Sequence, residues 1–277
     1  MFLILQDIFL CGEEMENEEE EIPELKGLYF DLQAEFGSTN HMGGLKATKD
    51  LIALCHIGKD AHVLDVGCGV GITASFLAKE YDCRVVGIDI SSKMINRSYE
   101  KARKENVQEK IEFTVADLQS LPFKNNTFDA VIGESVTAFI QDKQRAVTEY
   151  ARVTKSGGYI GLNETTWIEE PPAEVADYLL HTTGADLESS ETWKELLESS
   201  GLHNIVAAPC KIVLATQFIN EMKMAGFDIC KAWGRVFSLY FKSPTYRKAI
   251  KEMAREAWNR PKNIFKYFGY GLYVGKK

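Results

Sequence analysis

Histidine and proline are scarce in this chain, five and seven among 277 residues, and its six cysteines are scattered at positions 11, 55, 68, 83, 210 and 230. No two cysteines form a C-x-x-C pair and no histidines group at metal-ligand spacing, so no metal site is expected. Dispersed thiols of this kind belong in a reducing compartment, and a cytoplasmic protein with free cysteines is expected. No apolar run reaches the roughly 18 residues that a membrane-crossing helix needs. The apolar start, Met1 to Leu10, lacks a basic flank and a small-residue cleavage site, unlike a secretory signal. Lysine and arginine are missing altogether from residues 1–24, which carry nine acids. That leader is expected to be disordered or loosely helical over residues 13–21. Met15 offers an alternative start to Met1.

The formal charge of −8 is therefore unevenly distributed. The leader holds −9, residues 25–210 another −9, and residues 211–277 a balance of +10 from fourteen Lys/Arg against four Asp/Glu. A basic, aromatic-rich final quarter attracts anionic partners: a phosphorylated small molecule, an anionic lipid surface in peripheral contact, or a nucleic acid. It reads equally as the solvated faces of surface helices. Nucleic acid ranks lowest, because residues 25–210 are acidic and no appended RNA-binding module is visible. At this length, with 45% apolar residues, one α/β domain of ordinary size plus an elaboration is expected.

What is present is concentrated in nine residues, Val63-Leu64-Asp65-Val66-Gly67-Cys68-Gly69-Val70-Gly71. A short apolar run of strand character breaks into three alternate glycines, and a helical pattern follows with Ile72, Phe76 and Leu77 on one face. A strand leading through a glycine turn into a helix opens a nucleotide-binding α/β unit. The spacing selects among ligands. A dinucleotide fingerprint reads G-x-G-x-x-G and cradles a pyrophosphate; here it is G-x-G-x-G, with Asp65 two residues before the first glycine. A carboxylate there repels a pyrophosphate and suits a cationic ligand. The next strand-like run, Arg84 to Ile88, ends in Asp89, 22 positions beyond Gly67, where an acid can accept hydrogen bonds from ribose hydroxyls.

These blocks resemble those of class I S-adenosylmethionine (SAM)-dependent methyltransferases. VLDVGCGVG is similar to their first motif, VVGIDIS to their second, and VADLQSLPF at 115–123 to the segment covering the adenine. The resemblance implies a doubly wound Rossmann-like α/β fold with a seven-stranded, mostly parallel sheet whose last strand is antiparallel, and SAM as cofactor. It gives Asp117 the adenine amino group and Leu118 a backbone contact; the plainer reading of Asp117 is a turn-former. Met94 is expected to open the buried face of its helix and to touch the adenine edge. Gly43-Gly44-Leu45-Lys46-Ala47-Thr48 resembles the glycine pair and downstream threonine that precede the first motif in phosphoethanolamine and related methyltransferases. His41-Met42, with Tyr29 further out, matches the stretch that closes over the donor there, without the tyrosine directly before the glycines. Clustered thiolates, as an arsenic-type enzyme would need, are lacking.

The donor contacts expected are Gly43, Gly44, Asp65, Gly67, Cys68, Gly69, Gly71, Asp89, Ile90, Met94, Asp117, Leu118, Glu134 and Ser135. The catalytic candidates are His41, Tyr29 and Glu134, with His181 a further titratable group; no metal ligands are assigned. Glu134 and Ser135 fall at the carboxyl edge of the fourth strand, facing the donor or the acceptor, although an acid there can also serve a helix dipole. The expected organisation is an acidic segment at 1–24, a core with leading helices at 25–214, a helical lid at 215–264 and a final strand at 265–277. Within it, strands are expected at 159–163 and 204–213, a turn at 156–158, and a lid segment from Pro171 to His181. The expected function is methyl transfer to a small-molecule amine or phosphobase. The alternatives are C- or O-methylation of a quinone or isoprenoid lipid, whose enzymes share the Leu121-Pro122-Phe123 block, and SAM binding without catalysis.

Overall fold

The computed structural model describes residues 42–212 and 228–277, the backbone alone at 228–233 and 257. Tyr29, His41 and the acidic leader lie outside these residues. From Gly44 the chain forms α1 (Gly44–Leu54), β1 (His62–Val66), α2 (Ile72–Glu80), β2 (Arg84–Asp89), α3 (Ser92–Lys104), β3 (Ile111–Val115), β4 (Phe128–Glu134) and α4 (Lys143–Val153). It continues as β5 (Thr154–Trp167), α5 (Ala173–Thr183), β6 (Glu188–Ser189), α6 (Ser190–Ser199), β7 (His203–Lys211), α7 (Asp228–Lys242), α8 (Pro244–Trp258) and β8 (Phe268–Lys276).

The strands run in the order β3-β2-β1-β4-β5-β8-β7, with two-residue β6 beside β5. Strands β1 to β5 pair in parallel, and β8 is antiparallel to both β5 and β7. This is the expected doubly wound sheet, seven strands along the main path with the last one antiparallel, plus a short eighth. The central strands are apolar runs because helices cover both faces. One layer packs α1, α2 and α3 through Leu51, Ile52, Leu77 and Ile95. The other packs α4, α5 and α6 through Tyr150, Leu179 and Trp193. Trp193 stacks on Tyr273 of β8, with ring centroids 5.8 Å apart.

Local chemistry starts the helices near the site. Ser91 caps α3, its hydroxyl accepting the Met94 N–H at 3.3 Å, and Asp142 caps α4 by accepting the Arg145 N–H at 2.9 Å. Ser243 caps α8, with Pro244 in the first turn, dividing α7 from α8.

Three boundaries differ from expectation, each for a long-range reason. β5 covers Thr154–Trp167, not 159–163, because β8 pairs with it from Tyr159 to Trp167. Residues 156–158 form an irregularity inside β5, not a turn: the Gly157 N–H donates to the Lys277 carbonyl at 2.7 Å. The segment expected as lid from Pro171 to His181 contains α5, whose Val175 and Leu179 join the core. Its Tyr178 hydroxyl donates to the Glu256 carbonyl of α8 at 2.8 Å. α7 and α8 lie between β7 and β8 as expected of the insertion; residues 215–227 of it fall outside the described residues. Ile250 and Met253 are buried there, whereas Phe241 and Trp258 are exposed. Among the described residues no helix is long and apolar enough to cross a membrane.

Candidate functional site

Strand order reverses at β1, with β2 on one side and β4 on the other. At such a switch point the loops leaving the carboxyl ends part and open a crevice. The glycine bend of residues 67–71 leaves β1 there. Gly67, Gly69 and Gly71 all take left-handed backbone angles, φ 66°, 53° and 77°. The bend is pinned from within: the Cys68 N–H donates to the Ile88 carbonyl at 2.8 Å and the Gly71 N–H to the Cys68 carbonyl at 2.9 Å. Gly71 then caps α2.

Asp89, at the end of β2, orders both neighbouring loops. One carboxylate oxygen accepts the Gly69 N–H at 3.1 Å and the other the Ser91 N–H at 2.8 Å. Burial holds its carboxyl above the ordinary aspartate range, and the hydrogen bonds from Ser91 and Gly69 oppose that shift. Burial likewise pushes the Cys68 thiol well up, and the charges of Asp65 and Asp89 push it further. Cys68 is thus an inert small side chain between two acids, whose field favours a cationic ligand. Ile90 projects into solvent, 72% exposed, a placement suited to an aromatic face. Met94 is buried against Val70. The Ala116 N–H donates to the Asp89 carbonyl at 3.1 Å, bringing the 116–118 loop alongside. There Asp117 is exposed and accepts the Gln119 N–H at 2.9 Å, while Leu118 is buried in the core.

Glu134 lies at the crevice but is 7% exposed. Its carboxylate accepts the Thr48 hydroxyl at 2.9 Å, the Thr73 hydroxyl at 2.8 Å and the Asn163 amide at 3.1 Å. It thereby joins α1, α2, β4 and β5 in one buried network. Asn163 also donates to the Met42 carbonyl at 2.9 Å, tying the start of the Gly43-Gly44 segment to the same point. A β-carbon on Gly43 would lie 2.6 Å from the Tyr270 ring, so this glycine permits a close approach to β8. Ser135 adopts φ 56°, a left-handed angle uncommon outside glycine, and its N–H donates to the Asn163 carbonyl at 2.7 Å. His181 is exposed on the last turn of α5.

The structure therefore brings together Gly43, Gly44, Asp65, the 67–71 bend, Asp89, Glu134 and Ser135, with Ile90, Met94, Asp117 and Leu118 on the β2–β3 side. Sequence reasoning gave no site role to Asn163, Val136 or Glu164. Glu164 is fully buried, and burial pushes its carboxyl up to about 7. Because that value lies above the ordinary one of 4.5, ionisation costs the folded state. Stability should therefore fall as pH rises from the ordinary carboxylate range through about 7 and level off above. Denaturant titrations of the wild type and Glu164→Gln across that window check it: the substitution should remove this part of the slope.

Comparison with known proteins agrees with this geometry. A profile of the family described as "Methyltransferase domain" matches residues 64–162. A phosphoethanolamine N-methyltransferase of Triticum aestivum is 32% identical over 165 residues, 60% of this chain and 32% of that protein. An uncharacterized protein of Haemophilus influenzae is 30% identical over 178 residues, 62% of this chain and 70% of that one. Among solved structures, the [4+2]-cyclase SpnF has a TM-score of 0.70 at 19% identity, covering 96% of this chain and 98% of that one. Phosphoethanolamine N-methyltransferase 2 of Haemonchus contortus, in complex with SAM, has a TM-score of 0.68 at 17% identity, covering 91% and 57%. The chain spans about a third of the length of the wheat relatives it matches.

The fold is that of a doubly wound α/β protein, with a glycine bend at the strand-order switch. Residues 64–162 match the methyltransferase-domain family, and the chain resembles the class I SAM-dependent methyltransferases, a resemblance that implies SAM as cofactor. The residues present fit that cofactor: a glycine bend between two carboxylates suits a sulfonium, and Asp89 with exposed Ile90 suits an adenosine. SAM held there would supply an already activated methyl group, which would leave alignment and exclusion of water to the protein. Asp89→Ala should weaken SAM binding by about 1–3 kcal/mol, through lost ribose contacts and two backbone N–H groups left without their acceptor. Isothermal calorimetry checks it; unchanged affinity would remove Asp89 from the site.

Proposed function

We propose that this chain transfers the methyl group of SAM to a small-molecule acceptor at an amine or phosphobase nitrogen. The observation that carries the reading is the pair of acids, Asp65 and Asp89, flanking the buried thiol of Cys68 in the glycine bend, an electrostatic setting for a sulfonium. The likeness to a phosphoethanolamine N-methyltransferase supports the acceptor class. So does the basic character of residues 228–277, with twelve Lys/Arg against three Asp/Glu, which suits an anionic or phosphorylated acceptor. A neutral amine needs no strong base. Of the candidates, Tyr29 and His41 lie before the described residues, and Glu134 is held in its network. In this reading residues 25–214 with 265–277 form the core, and 215–264 form a lid over the acceptor. A cytoplasmic location goes with the free thiols at Cys55, Cys68, Cys83 and Cys210.

A second reading, C- or O-methylation of a quinone or isoprenoid lipid, is favoured by the exposed apolar side chains Phe237, Phe241 and Trp258 on the α7–α8 hairpin. Labelled methyl transfer from SAM into a cell extract, followed by mass identification of the product, decides between them. Label on an amine or phosphobase is the expected result. Label on a prenylated ring would select the second reading. Persistent absence of label from a protein that binds SAM would point to a binding role without catalysis.

A further inference from the structure

Asn163 and Glu164 are consecutive residues near the carboxyl end of β5, and their side chains leave opposite faces of the sheet. Asn163 serves the network already described. Glu164 enters the other layer, beside Tyr150 of α4 and Tyr273 of β8. There its carboxylate accepts three consecutive backbone N–H groups, from Val136 at 3.2 Å, Thr137 at 2.8 Å and Ala138 at 3.4 Å. These residues form the turn that leaves β4. A buried carboxylate is costly to ionise, and a neutral side chain could fill the same space in the core.

What the turn carries explains the position. The Val136 side chain lies directly against the first glycine of the bend: a β-carbon built on Gly67 would stand 2.3 Å from Val136 Cγ2. Val136 thus forms the floor under the bend, and Glu164 fixes the backbone that presents it. We propose that Glu164 is a positioning residue of the donor site, holding the Val136–Ala138 turn and, through Val136, the Gly67 bend in the shape that binds SAM. The inference rests on the SAM reading of that bend.

The ionised carboxylate is the form that best accepts three N–H groups; a protonated carboxyl carries an O–H donor in their place. With Glu164 pushed up to about 7 by burial, both forms are populated near neutrality. The titratable groups facing it, Tyr150 and Tyr273, have phenols pushed upward by burial and are neutral in this range. On the donor side Asp65 and Asp89 are present in both the wild type and Glu164→Gln, so a ratio of their affinities cancels the titration of these acids and of the ligand.

The test is SAM affinity by calorimetry for wild type and Glu164→Gln, with thermal unfolding as the check on folding. At about pH 8.5 the wild type should bind about tenfold more tightly than the variant, and by about pH 5.5 the ratio should approach one. A ratio near one throughout, or one that is independent of pH, would overturn the inference. Val136→Ala provides a second handle that leaves the carboxylate in place. It should weaken binding several-fold while keeping the pH dependence of the wild type; unchanged affinity would again overturn the proposal. Asp89→Ala separates the two levels. SAM binding that this substitution weakens, and Glu164→Gln leaves unchanged, rejects only the positioning role. A wild type that ignores SAM rejects the donor-site reading and this inference with it.

Discussion

Gly67→Val is expected to abolish measurable SAM binding. Gly67 sits at φ 66°, where a β-branched residue is strained by about 1–3 kcal/mol. Its new β-carbon would also fall 2.3 Å from Val136 Cγ2 and 2.6 Å from Val136 Cβ, so either the bend or the turn after β4 must move. Both carry the donor site, and overpacking of this kind costs about a further 1–3 kcal/mol. Together these correspond to a loss of roughly a hundredfold or more in affinity. Calorimetry with SAM and with S-adenosylhomocysteine reads the effect, and thermal unfolding reports whether the fold survives. Gly67→Ala serves as the milder variant, with reduced but detectable binding. Wild-type affinity in either would mean that the bend is not where the ligand lies.

The second large effect is on stability. Glu134→Ala should destabilise the protein by about 2–4 kcal/mol, because it strands buried donors of Thr48, Thr73 and Asn163 and leaves a void among them. For a chain of this size that amounts to a fall of several degrees in melting temperature. Glu134→Gln keeps an acceptor in place and should cost much less. The pair also separates the two roles open to this residue. If Glu134 acts on the acceptor, the Gln variant loses turnover at nearly wild-type stability; if its part is to join four elements, the Ala variant loses stability and the Gln variant keeps turnover.

The parts of this site that were legible in the sequence are those fixed by neighbours along the chain. The alternate glycines and the acid ending β2 follow from local turn chemistry, and the structure assembles them at the strand-order switch. Leu118 was assigned a backbone contact with the ligand, and burial of its side chain in the core is compatible with that. Asp117 does form the local turn that was its plainer reading. The rest was hidden by distance. Nothing near Glu134 announces that its partner Thr48 stands 86 residues earlier. Nothing around Glu164 reveals that it will accept N–H groups from residues 26 to 28 positions before it. The length of β5 was hidden in the same way, since it is set by pairing with a strand about a hundred residues further on. Local pattern could place the ligand loop, while the clamp that shapes it depended on the register of the sheet.

The most direct test of the central claim, that the acid-flanked bend seats a sulfonium nucleoside, is calorimetric titration of the purified protein with SAM, S-adenosylhomocysteine, a nicotinamide dinucleotide and a flavin nucleotide. The expected result is saturable binding of the two adenosyl-sulfur compounds, weakened by Asp89→Ala, and none of the dinucleotides. Binding of a nicotinamide or flavin nucleotide, with indifference to SAM and S-adenosylhomocysteine, would contradict it.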